Sequence, residues 1–162
     1  MSASGKILTG TMVGAGMIGI YMLFKKLNQA QTQLVIVPKA SLQKLSLDGL
    51  TIRLDLLMKN PAKGDFTIKF PFVKLMYKDA MIGSSQVVNT DITIPSYGQK
   101  TVEKIMIDIP LENVFSVTTS LLKALQSKQP VTMQAKISTT VIMGLVTIPF
   151  NENYNLPIVQ GK

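Results

Sequence analysis

The chain contains no cysteine and no histidine. Without thiols there is no disulfide and no thiolate nucleophile. Without imidazole the commonest general base and the commonest transition-metal ligand are missing as well. A lipidated-cysteine anchor is excluded on the same ground, whereas the compartment stays open, because Cys-free proteins occur on both sides of a membrane. Aromatic residues are scarce at 6%, charged residues make up 16%, and Arg53 is the one arginine. A nucleic-acid groove wants clustered arginines and aromatics to stack on, so the net charge of +8, carried by scattered lysines, disfavours nucleic acid as a partner. Such a charge suits anionic lipid or an acidic protein surface better.

Hydrophobic residues make up 46% of the 162 positions, which is high for a water-soluble domain and points to a membrane segment. Residues Ile7 to Phe24, ILTGTMVGAGMIGIYMLF, carry no charge over 18 positions. As a helix this run is about 27 Å long, the thickness of a bilayer core. Its apolar members are Ile7, Leu8, Met12, Val13, Met17, Ile18, Ile20, Tyr21, Met22, Leu23 and Phe24, with Lys6 on one flank and Lys25 and Lys26 on the other. The expectation is a retained single-pass anchor over residues 1–26. A cleaved signal peptide fits less well, because two lysines stand where the cleavage site should be. A buried soluble helix fits less well too, because glycines are tolerated better in lipid than in water. Gly10 with Gly14, and Ala15 with Gly19, put small residues one turn apart, a spacing that lets two such helices pair. Homo-oligomerisation through the span is therefore a candidate. Lys6 and the α-amine balance Lys25 and Lys26, so the positive-inside rule chooses no side for the domain. Residues 27–33, LNQAQTQ, read as a polar spacer.

From Leu34 onward the apolar pattern has period two. Ile52, Leu54, Leu56 and Met58 alternate with more polar positions, as do Ile105, Ile107 and Ile109, and Val131, Met133, Ala135 and Ile137. This is the pattern of strands with one face on a core and one in water. Turn signals stand at Asp48-Gly49, Asn60-Pro61, Lys63-Gly64, Ile82-Gly83, Tyr97-Gly98 and Gln129-Pro130. One segment breaks the pattern. Leu111 to Leu125 has helical spacing, with Glu112 early and Lys123 late to suit the macrodipole. Asn60-Pro61 ends the strand before it, because proline offers no N–H to a ladder and Asn60 can bond the following backbone as an Asx turn.

The stretch Lys44 to Ser85, KLSLDGLTIRLDLLMKNPAKGDFTIKFPFVKLMYKDAMIGSS, resembles the late embryogenesis abundant group-2 family, also called the water-stress and hypersensitive-response (WHy) domain. The shared features are a strand running into Asn60-Pro61, then a hairpin with an aromatic before its turn and a Gly-containing return (Tyr77, Gly83). A strand like IMIDIPL, a helix, a segment GLVTIP from Gly144 to Pro149, and a closing YNLP follow in order. The resemblance covers residues 34–158, leaving 159–162 as a tail. It departs from the family in the Phe70-Pro71-Phe72 pair and in its basic charge. It implies a mainly β chain, an antiparallel immunoglobulin-like β-sandwich with one helix, here preceded by a single N-terminal transmembrane helix. It also implies no enzyme activity.

The residues agree with a non-enzymatic reading. Asp48, Asp55, Asp65, Asp79, Asp91, Asp108 and Glu112 fall mostly on strand exteriors or in turns, with no calcium-loop spacing. The glycines at 10, 14 and 16 follow no strand and precede no Gly-Lys-Ser/Thr, so they make no phosphate loop. The expected function is a membrane-anchored module without cofactor or metal. It binds or protects partners at a membrane surface, its partners being the bilayer and a protein, and its Lys-rich surface the contact face. Two alternatives stay open. One is a minor structural membrane protein of a lipid-containing virion or other assembly. The other is lipid binding or transfer, for which Met58, Met76, Met81, Met106, Met133 and Met143 supply adaptable apolar contacts.

Overall fold

A computed structural model of the chain describes residues 34–110, 112 and 119–160. The anchor, its candidate packing glycines, the flanking lysines and the spacer lie outside the described residues. Among those described, no helix is long and apolar enough to cross a membrane.

Nine strands and one short helix account for the described chain, which is mainly β. They are β1 (Val35–Ser46), β2 (Gly49–Lys59), β3 (Phe66–Lys69), β4 (Phe72–Tyr77), β5 (Ala80–Ser84), β6 (Asp91–Ile94), β7 (Gln99–Pro110), α1 (Thr119–Gln126), β8 (Val131–Met143) and β9 (Val146–Gln160). The period-two residues are the buried ones. Ile52, Leu54, Leu56 and Met58 of β2 have no exposed surface, and Ile107, Ile109, Met133, Ala135 and Ile137 are buried with them in one cluster. Burying such side chains is the main force that holds a β domain of this size together.

Strand connectivity departs from a two-sheet sandwich with all neighbours antiparallel. The strands form one sheet in the order β5-β4-β8-β9-β1-β2-β7, with β3 paired to β8 and β6 to β3. The sheet curls into a half-barrel, bringing its end strands β5 and β7 into contact. One pairing is parallel: Ala40 to Leu42 of β1 lie beside Ile158 to Gln160 of β9. Period two reports which face of a strand is buried, and that is the same whichever way the neighbour runs.

Three two-residue loops make the tight hairpins. Leu47-Asp48 joins β1 to β2, Lys78-Asp79 joins β4 to β5, and Gly144-Leu145 joins β8 to β9. Gly144 takes the positive φ of 60° that the last of these needs at its first position. The turn expected at Ile82-Gly83 is instead in mid-strand. The reversal falls at Lys78 and Asp79, whose φ values of 47° and 64° make a primed turn without glycine. Gly83 is required for packing. A Cβ there would stand 2.9 Å from Ile109 Cγ1 and 3.2 Å from Ile107 Cγ2, so the missing side chain is what lets β5 lie on β7.

Pro71 separates β3 from β4 along the edge of β8, where its missing N–H breaks the ladder; the Thr139 hydroxyl bridges the break by donating to the Lys69 carbonyl. Helix α1 covers the later part of the expected Leu111–Leu125 helix, residue 111 and residues 113–118 lying outside the described residues. Leu121 and Leu125, one turn apart, are buried in the core, and α1 packs on β8. The helix ends in a Schellman motif with Lys128 in the left-handed position at φ 56°. There the Lys128 N–H donates to the Leu125 carbonyl, and the Gln129 N–H to that of Ala124.

Candidate functional site

Asn60 lies just beyond β2 and is 1% exposed. Its Oδ1 accepts from the Ala62 N–H at 3.0 Å, which is the Asx turn expected of Asn-Pro. Its Nδ2 does more. It donates to the carbonyls of Gly64 at 2.7 Å, Pro95 at 3.2 Å and Ile94 at 3.3 Å, tying the 60–65 loop to the 95–98 loop. The Asn60 N–H donates to the Gly98 carbonyl, and the Tyr97 N–H to that of Ala62. Ser96 completes the seam: its N–H donates to Asp65 Oδ1 at 2.8 Å, and its hydroxyl accepts from the Gly64 N–H at 3.0 Å. Both side-chain polar atoms of Asn60 and its N–H are used inside the fold, so the motif is a brace between loops.

These loops share one end of the half-barrel with the β8–β9 hairpin. Phe66 pairs with Ile94, and Thr67 with Ile142, which brings the seam beside Met143 and the Gly144-Leu145 tip. Val35 pairs with Lys59, so the chain also enters β1 at this end. The tip residue Leu145 is fully exposed (104%) and Tyr97 is 71% exposed. Around them Lys59, Lys63 and Lys100 are exposed, with Asp65 the acidic neighbour. Of the residues that carry the resemblance, Asn60, Pro61 and Gly144 lie at this end. Tyr77 closes β4 at the opposite end, under the Lys78 ammonium at 5.5 Å from its ring. Gly83 lies on the β5–β7 contact, and Pro149 sits in β9 opposite Thr140.

A second polar cluster sits on the outer face of β2. Arg53 donates to both carboxylate oxygens of Asp55, at 3.0 and 3.1 Å, and Asp55 Oδ1 also accepts the Lys104 N–H at 2.8 Å. Lys104 has φ 58° and stands where the β2–β7 register shifts, so Asp55 caps a bulge. Desolvation pushes the Asp55 carboxyl up, but the hydrogen bonds from Arg53 and Lys104 outweigh it and hold the carboxyl below its ordinary range. The Tyr154 phenol is raised by burial and by Glu152.

Among the described residues no group of three or more acidic side chains could hold a metal ion. The buried Ser85 hydroxyl accepts the Val73 N–H at 3.0 Å, a structural use. Met58 and Met133 are core residues, whereas Met81 and Met106 are exposed at 55% and 41%. A surface groove of about 260 Å³ beside Met106 is lined by Phe70, Val88 and Ile105 together with Lys104 and Asp108.

Sequence reasoning missed Ser96, Leu145 and the Lys104 bulge. Tyr97-Gly98 was legible as a turn, but nothing local announces that it holds Asn60.

No protein-family model matches the chain, and no curated protein does. Solved structures do resemble it at low identity. A protein from Archaeoglobus fulgidus matches with TM-score 0.47 and 9% identity over 74% of this chain and 94% of that one. An Arabidopsis thaliana protein matches with TM-score 0.42 and 14% identity over 76% and 80%. A third, provisionally assigned as late embryogenesis abundant, matches with TM-score 0.29 and 16% identity over 98% and 95%.

Proposed function

We propose that this chain is a membrane-tethered, non-catalytic β module of the late embryogenesis abundant group-2 (WHy) kind, acting on a partner at a membrane surface. The observation that carries the tether is the charge-free run Ile7 to Phe24 between Lys6 and Lys25-Lys26, followed by a seven-residue polar spacer. Support for the family reading comes from the order of its motifs: a strand ended by Asn60-Pro61, a Tyr77–Gly83 hairpin, a helix between two long strands, and the closing YNLP. Support for a binding or protective role comes from how the polar groups are spent. Asn60, Ser85 and Asp55 each serve the backbone of the fold, and a basic outer surface is left for contacts. The test of the tether is alkaline carbonate extraction of membranes from cells expressing the full chain. Retention in the pellet is expected; release into the supernatant would remove the anchor from this reading.

A further inference from the structure

Resting on that tethered reading, we infer that the end of the half-barrel bearing Leu145, Tyr97 and the Asn60 seam faces the bilayer and seats in its anionic headgroup layer. Four observations converge on this end. First, the chain enters β1 here. Leu34 is the first described residue and Val35 pairs with Lys59, so the 33 preceding residues, uncharged run included, join the domain on this side. A spacer of only seven residues keeps the domain within reach of the membrane surface that the run would leave.

Second, the apolar groups that protrude here are of the kind that partition into an interface. Leu145, at 104% exposure, crowns a two-residue hairpin, and Tyr97, at 71%, crowns the neighbouring loop. A tyrosine places an apolar ring and a polar hydroxyl at headgroup depth. Third, the charge matches. Lys59, Lys63 and Lys100 are exposed at this end with Asp65, and among the described residues none of the three lysines is in an ion pair. At the other end Asp48, Asp79 and Asp108 are interspersed with Lys44, Lys78 and Lys128, so its field largely cancels. Fourth, the end is braced: the Asn60 and Ser96 bonds hold the two loops together, so seating them costs little ordering entropy. Leu47, exposed at 90% on the opposite hairpin, provides an internal control.

The chain has no tryptophan, so one introduced indole reports one place. Full-length Leu145→Trp, Tyr97→Trp and Leu47→Trp variants are reconstituted into vesicles of phosphatidylserine and acyl-brominated phosphatidylcholine. The expected result is bromine quenching and a blue-shifted emission at positions 145 and 97, and neither at position 47. Combining Lys59→Glu, Lys63→Glu and Lys100→Glu with Leu145→Trp should weaken docking by about fivefold or more per lysine. Omitting phosphatidylserine should weaken it likewise. Equal quenching at 145 and 47, or none at 145 in a chain that resists carbonate extraction, overturns the docking while leaving the tether intact. Quenching at 145 in a chain that carbonate releases upholds the docked end and overturns the tether. A chain both released and unquenched overturns the two together.

Discussion

Replacing Asn60 with aspartate keeps the side-chain shape and reverses the polarity of one of its ends. In the native protein Nδ2 supplies two hydrogens to the carbonyls of Gly64, Ile94 and Pro95, while Oδ1 takes the Ala62 N–H. Truncation in Asn60→Ala removes these bonds. At about 1 kcal/mol net each, with the partly buried carbonyls regaining some water, the loss comes to about 2–3 kcal/mol. A domain with about 5–15 kcal/mol of stability survives that change. Asn60→Asp should lose more at neutral pH, because a buried carboxylate then points at three carbonyl oxygens. On acidification the carboxyl takes a proton and regains one donor. Its folded-state pKa is therefore raised above the ordinary value of about 3.9. A raised carboxyl binds more protons folded than unfolded, so the stability of this variant falls as pH rises from the ordinary value through the raised one. The assay is urea unfolding of the full chain in mild detergent, followed by the strand signal in circular dichroism at about pH 4 and about pH 7. Asn60→Ala should show the same deficit from the parent at both. If Asn60→Asp unfolds with the parent at neutral pH, or its deficit does not shrink on acidification, the brace is not what holds these loops.

Gly83→Val should cost about 1–3 kcal/mol in the same titration, because its side chain must enter the space held by Ile107 and Ile109; Gly83→Ala should cost less. Leu56→Asp places a carboxylate where no surface is exposed, and should abolish the protease-resistant domain altogether; a resistant variant would mean that the buried face of β2 is misassigned. Asp55, held below the ordinary carboxylate range, contributes stability that is present above that range and lost as pH falls through its lowered value. The gap between the parent and Asp55→Asn should therefore close on acidification, and a gap that persists in acid would refute the ion-paired bulge.

Much of the local structure was legible because local physics decides it. Alternation alone picks out Ile52 to Met58 and Val131 to Ile137 as buried rows, since a strand has two faces and water takes one. The apolar pair Leu121 and Leu125 marks a helix for the same kind of reason, with a different period. Asn60-Pro61 ends its strand through bonds reaching two residues on, and that too is written in the sequence. Gly83 shows where this reasoning stops. Beside Ile82 it looks like a turn, yet its role is set by side chains of β7 that become its neighbours only when the sheet closes.

The parallel contact of β1 with β9, the grip of Asn60 on residues 94 and 95, and the gathering of Leu145, Tyr97 and three lysines at one end have the same origin. Each joins segments far apart in the chain, and strand periodicity carries no information about which strand lies beside which. Burial of one continuous apolar face curls the sheet, and that closure selects the neighbours. By itself the sequence determined which residues turn inward, where the chain reverses at most of its turns, and that one uncharged run precedes the domain. Only the tertiary structure decided which loops meet, because that depends on closing the whole sheet at once.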